Sequence, residues 1–213
     1  MTAELPHPMA AGPLGGHAGP AGDLATAPPR RIPSVVPVKG LPIVAVILIG
    51  LIVVIARDSF WGLVFYHVVG GGLWTSIDLF VGLVVGPIIG SMSIPSRAEF
   101  SARFMPAMVI IMPTVVTMSL ASGFQLARHI GNLDPASPNH DWVVASFIIV
   151  GIMAIIALGF LEPANIAVLC EMRKDEPDGE VIGKLMRRFV YTAGLTGMMQ
   201  IATLIIMTRI RTN

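Results

Sequence analysis

Five apolar stretches, roughly residues 41–56, 60–92, 103–128, 142–170 and 189–207, dominate this 213-residue chain and limit what it can fold into. Each is near or above the about 20 residues a helix needs to cross the hydrocarbon core of a bilayer, and each is almost free of charge. No water is present there to satisfy backbone N–H and C=O groups, so a spanning segment must bond within itself. The expectation is an all-α, polytopic transmembrane bundle of five helices. Composition agrees: the chain is 54% hydrophobic and 13% charged, about half the charge of an average soluble domain.

Several function classes fall away at once. The net charge is +1 and the basic residues sit at segment ends, which excludes a nucleic-acid patch. The single cysteine, Cys170, excludes an internal disulfide and any CxxC metal motif. There is no GxxxxGK[ST], HExxH or Gly-x-Ser-x-Gly pattern. The triplet Gly70-Gly71-Gly72 lies inside an apolar segment, away from any strand-to-helix turn.

Residues 1–40 hold eight prolines and six glycines without apolar periodicity. Such a segment buries too little to offset its chain entropy, so a disordered cytoplasmic tail is expected. It lacks the basic and apolar regions of a signal peptide at Met1, and the first apolar segment reads as a retained anchor. The division is a tail over 1–40 and a membrane domain over 41–213.

Placing the N-terminus in the cytoplasm of a plasma (inner) membrane puts Arg30, Arg31, Lys39, Arg97, Arg103, Arg173, Lys174, Lys184, Arg187 and Arg188 inside. Arg57, Arg128, Arg209 and Arg211 then lie outside. That split follows the positive-inside rule and puts the C-terminus outside. Only residues 130–141 and 171–188 read as sizeable loops. Ser96-Arg97-Ala98-Glu99 reads as a capping box opening the third helix.

The second segment carries the chemistry. His67, Gly71, Trp74 and Asp78 are spaced 4, 3 and 4 apart, so at ~100° per residue they share one stripe about 60° wide. Ionisable groups within a span are costly and usually face protein or water. The stripe suits a planar cofactor: histidine gives an axial nitrogen, glycine clears room for a macrocycle and tryptophan packs on its edge. Equally, it suits a helix–helix contact in which His67 and Asp78 hydrogen-bond to neighbours.

The run Tyr66-His-Val-Val-Gly-Gly-Gly-Leu-Trp-Thr-Ser-Ile-Asp78, continuing to Gly86-Pro87, resembles the opening helix of a bacterial superfamily of small polytopic proteins. That superfamily includes CopD-like copper-resistance domains and HemJ-like protoporphyrinogen oxidases. The turn over 95–103 and the segment over 117–126 with Gly123 are similar too, so the likeness covers about residues 63–128. It implies haem b at His67, with copper as the alternative. The chain departs from the HemJ-like pattern in having no lysine between Lys39 and Lys174.

A second ligand would have to lie near the same outer depth, and His129 and His140 are the candidates, with Asp134 and Asp141 close by in sequence. Deeper in, Glu162, before Pro163 and near Asn165, reads either as part of a short proton path with Asp78 from the cytoplasm toward His67 or as the end of that helix near the interface. Met105, Met108 and Met112 form a stripe that suits packing far better than copper. Gly82, Gly86 and Gly90 make a small-residue groove for a close helix neighbour, expected to be the third segment.

Three readings of function follow. One is a haem- or copper-binding redox or metal-handling membrane component with an outward-facing site. Another is a non-catalytic accessory or structural subunit in contact with other membrane subunits or a second copy. The third is a small transporter using Asp78 and Glu162. The bilayer is a partner in all three.

Overall fold

The computed structural model describes residues 33–212, so most of the 1–40 tail lies outside the described residues. A single 3₁₀ turn, Val38–Gly40, leads into α1 (Leu41–Ala56). After the short turn at Arg57–Ser59, α2 (Phe60–Phe80), a π-turn (Val81–Val85) and α3 (Gly86–Ser91) run on as one span. The long helix α4 (Ile94–His129) returns. The fourth span is built like the second, from α5 (His140–Ile156), a π-turn (Ala157–Leu161) and α6 (Glu162–Met172), and α7 (Gly179–Thr212) is the fifth. Among the described residues five helices are long and apolar enough to cross a membrane, and there is no strand. The protein is a polytopic all-α transmembrane bundle.

Two helices start earlier than the apolar stretches suggest. Asp178 caps α7, its Oδ1 accepting from Glu180 N–H at 2.8 Å and Val181 N–H at 3.2 Å. Ile182 and Met186 are buried along its first turns, so their packing carries the helix beyond the hydrocarbon core. The expected loop over 171–188 shrinks to residues 173–178. Likewise α4 is capped by Ser93, whose Oγ accepts from Ser96 N–H at 3.4 Å. Pro95 sits in that first turn, where a missing N–H costs nothing. Glu99 pairs with Arg103 at 2.7 Å and leaves the capping box unformed.

The two π-turns share a cause. Each ends two residues before a proline: Gly86 N–H bonds back to Val81 O, and Glu162 N–H to Ala157 O. Pro87 and Pro163 then follow. A proline has no N–H to give, and its ring clashes with the carbonyl four residues back. Widening the preceding turn relieves that clash while its backbone groups stay bonded, as hydrocarbon demands. Pro106 and Pro113 are accommodated within α4 without such a turn.

The second span packs on α4 and α7, and the fourth span packs on the same two helices, so four spans enclose one core. Its centre holds Trp74, Met105, Met112, Met153, Met186 and Phe189. The methionine stripe is therefore core packing. Helix α1 lies outside this ring against α2 and α4, almost wholly exposed on its other sides. Tyr66 Oη ties it in by donating to Ile47 O at 3.1 Å.

Glycines set the closest approaches. A Cβ on Gly82 would lie 2.6 Å from Gly194 Cα, so α7 and the second span touch backbone to backbone. A Cβ on Gly86 would meet Val190 of the same helix. At Gly82 and Gly86 the small-residue groove is thus intramolecular as expected, but its partner there is α7, and at Gly90 a Cβ would meet nothing within 4 Å. The short turn after Ser91 does bring α4 alongside, yet α4 packs against the opposite end of the second span, where a Cβ on Gly70 would lie 2.8 Å from Met118 Cβ.

Gly82→Leu is expected to lower the unfolding temperature in mild detergent sharply, because the atoms it meets are main chain and cannot swing aside. Overpacking of this kind costs about 1–3 kcal/mol or more. Gly72, where a Cβ meets nothing within 4 Å, serves as the comparison: Gly72→Leu should unfold close to the parent. Equal stability of the two variants would contradict the crossing.

Candidate functional site: the polar stripe of the second span

Helix α2 starts at Ser59, which caps it by accepting from Gly62 N–H at 3.3 Å, and runs unbroken to the π-turn. Its 3.6-residue period brings His67, Gly71, Trp74 and Asp78 to one side, as the spacing predicts. The structure turns that side toward two neighbours. The upper part meets α4 and the lower part meets α7.

His67 Nδ1 hydrogen-bonds to the Ser119 carbonyl of α4 at 3.0 Å. The carbonyl accepts, so Nδ1 carries a proton, and Nε2 lies on the far side of the ring from that bond. The ring lies over Gly123, whose added Cβ would come within 2.7 Å of it. One turn on, α4 backbone fills the space at Gly70, and a Cβ on Gly71 would meet Ser119 Oγ at 3.4 Å. Ser119 also sits beside Ser122, which bonds to the Met118 carbonyl.

Asp78 is only 1% exposed. Its Oδ2 accepts from Thr196 Oγ1 at 2.8 Å and from Gln200 Nε2 at 3.0 Å, both on α7. The Trp74 indole N–H faces the same carboxyl without closing a full hydrogen bond. Two donors from another helix therefore converge on one carboxylate inside the bundle, next to the π-turn that begins at Val81. Thr196 and Gln200 escaped the sequence reading. Their signal was present: Thr192, Thr196 and Gln200 recur every four residues in an otherwise apolar segment.

The remaining candidates lie apart from this cluster. His129 Nδ1 pairs with Asp58 Oδ2 at 3.1 Å and stacks on Phe60 with ring centroids 5.5 Å apart. That contact closes the turn between α1 and α2 against the end of α4. His140 opens α5 with Nδ1 buried and without a hydrogen-bond partner among the described residues. Among the described residues no three His, Cys, Asp or Glu side chains come together closely enough to hold a metal ion. Glu162 lies well inside the fourth span, since the helix continues to Met172. It faces the fully buried Asn165 one turn on, in electrostatic contact short of a full hydrogen bond.

Chemically, the stripe supplies a carbonyl-oriented imidazole at one level and a doubly hydrogen-bonded carboxylate about 16 Å further along the helix, at 1.5 Å per residue. Both act across helix–helix contacts. Comparison with protein-family models, curated proteins and solved structures gives no match to the chain.

Asp78→Ala is expected to destabilise the bundle by about 1–3 kcal/mol, because it leaves the Thr196 and Gln200 donors buried without their acceptor. A double-mutant cycle between Asp78→Ala and Gln200→Leu, read by thermal or denaturant unfolding in detergent, should give a coupling of about 0.6–1.7 kcal/mol, as for other intramembrane hydrogen bonds. A coupling indistinguishable from zero would mean that this pair does not hold the helices together.

Proposed function

We propose that this protein is a non-catalytic accessory or structural subunit of a membrane assembly, with its second span held in place by polar cross-braces. One observation carries the reading: both ionisable groups of the α2 stripe, His67 and Asp78, are hydrogen-bonded to neighbouring helices of their own chain. His67 donates to the Ser119 carbonyl, Asp78 accepts from Thr196 and Gln200, and Gly70, Gly71 and Gly82 are closed over by Met118, Ser119 and Gly194. Polar contacts of this type serve as glue in hydrocarbon, where the alternative is an unpaired group. Helix α1 and the outward faces of α5 and α7 remain apolar and exposed, available to lipid or to another membrane subunit.

A second reading rests on His67 alone. An imidazole whose Nδ1–H is fixed by a carbonyl has the orientation of a metal-bound histidine, and Nε2 points away from that bond. The likeness to CopD-like and HemJ-like proteins supports it as well. A macrocycle in the glycine gap does not fit this packing, because α4 fills the gap. Any haem b or copper would have to approach Nε2 from outside the α2–α4 contact.

A reduced-minus-oxidised spectrum and metal analysis of the purified protein separate the two readings. The structural reading expects no Soret band, no stoichiometric iron or copper, and a His67→Ala variant altered in stability alone. A Soret band or bound copper that His67→Ala removes would replace it with the cofactor reading.

The proposed orientation has the N-terminus in the cytoplasm and the C-terminus outside a plasma membrane. It is supported by the crowding of Lys39, Arg97, Arg103, Arg173, Lys174, Lys184, Arg187 and Arg188 at one end of the bundle. A cysteine placed at Asp178 in a Cys170→Ser background should resist a membrane-impermeant maleimide in intact cells and react after lysis. Labelling in intact cells would reverse the topology.

A further inference from the structure

Below the Gly82–Gly194 crossing, the second span and α7 splay apart. At Gly86 a Cβ would still meet Val190, but at Gly90 it would meet nothing within 4 Å. The eight residues from Gly82 to Gly90 cover about 12 Å of helix, over which a backbone contact becomes an open groove. Its volume is about 640 Å³, within the roughly 300–1,000 Å³ of small-ligand sites. Tyr191, Leu195 and Met198 line one wall and are exposed at 75%, 54% and 58%. Most of the residues lining the groove are apolar or glycine.

Two arginines line it as well, Arg97 and Arg187. Arg97 reaches from the first turns of α4 across to α7, where its Nη1 would be 3.4 Å from a Cβ on Gly183. Its Nη2 donates to the Met92 carbonyl at 3.2 Å, while Nε is buried and makes no hydrogen bond among the described residues. The nearby acids are already engaged. Glu99 pairs with Arg103, Glu180 pairs with Lys184, and Asp178 caps α7. Neither Arg97 nor Arg187 has a carboxylate partner among the described residues. Guanidinium groups favour bidentate pairing with phosphate oxygens, and basic pockets between spans at a membrane face hold anionic head groups.

We infer that this groove binds one anionic phospholipid from the leaflet at the basic end of the bundle, with an acyl chain against Gly86, Gly90 and Leu195 and the phosphate between Arg97 and Arg187. The site is independent of the function proposed for the α2 stripe. An apolar trough alone would accept any tail; the two uncompensated cations select the negative head group.

The test uses the full chain, delipidated in mild detergent, with phosphatidylglycerol, phosphatidylcholine of the same acyl chains, and glycerol 3-phosphate as probes. Native mass spectrometry should show one retained phosphatidylglycerol, which also raises the unfolding temperature. Phosphatidylcholine should bind weakly and glycerol 3-phosphate not at all. Removing both charges with Arg97→Gln and Arg187→Gln should weaken phosphatidylglycerol binding by about tenfold or more, at ~1 kcal/mol per basic residue. Should that double variant fail to fold, Arg187→Gln alone, at an exposed position, should still weaken binding. Gly90→Leu should weaken it with both charges intact. Equal binding of the two lipids, equal binding of glycerol 3-phosphate, or no effect of Arg187→Gln would overturn the assignment. So would a concentration-dependent dimer that Gly90→Leu abolishes and phosphatidylglycerol leaves intact, since a second copy would then fill the groove.

Discussion

How closely other helices can approach the second span decides the arrangement of this bundle. In hydrocarbon there is no hydrophobic force pulling one apolar helix onto another, so association depends on close packing and on polar contacts between helices. This span supplies both at two levels. Near its start Gly70 admits the Met118–Ser119 backbone of α4, and His67 bonds to the Ser119 carbonyl. Further down, Gly82 admits Gly194 of α7, one turn from the level at which Asp78 receives Thr196 and Gln200. Each glycine contact shortens the distance that its polar neighbour must bridge. Between them the two levels of contact join α2 to both of its partners, α4 and α7.

The chain's membrane character and helix number were legible because they rest on local properties, the length and apolarity of each segment. The α2 stripe was legible for the same reason, since a 4-3-4 spacing defines a helix face without reference to anything distant. Its partners were not. Thr196 and Gln200 lie 118 and 122 residues beyond Asp78, and no local pattern records which of four other spans faces it. The glycine groove misled in the same way. Short connections argue for neighbours in sequence, yet the close contact at Gly82 is made by the last span.

Boundaries failed where tertiary packing overrode polarity. Residues 179–188 contain three basic side chains and read as loop, but Ile182 and Met186 are buried against the core and hold them helical. The capping box at Ser96 failed because Pro95 is better placed inside the helix than before it, which moves the cap to Ser93. The π-turns are not legible from the prolines alone. Proline marks where a turn must change, but α4 carries two prolines without a π-turn. The residue alone does not say how the strain is absorbed.

The polar braces and the lipid groove have a common geometric origin. Two straight helices that touch backbone to backbone at one level must diverge away from it unless they coil around each other. The π-turn at Val81–Val85 and Pro87 fall immediately below the level of Asp78, and there the second span leaves its path alongside α7. Closing the crossing tightly enough for Asp78 to reach Thr196 and Gln200 therefore opens the space between Gly90 and Gly183 at the basic end. Large side chains could have filled that wedge; instead the chain lines it with Gly86 and Gly90 and leaves Arg97 spanning its mouth. An opening of this kind in an apolar solvent does not stay empty, and the chemistry of its mouth selects which amphiphile enters.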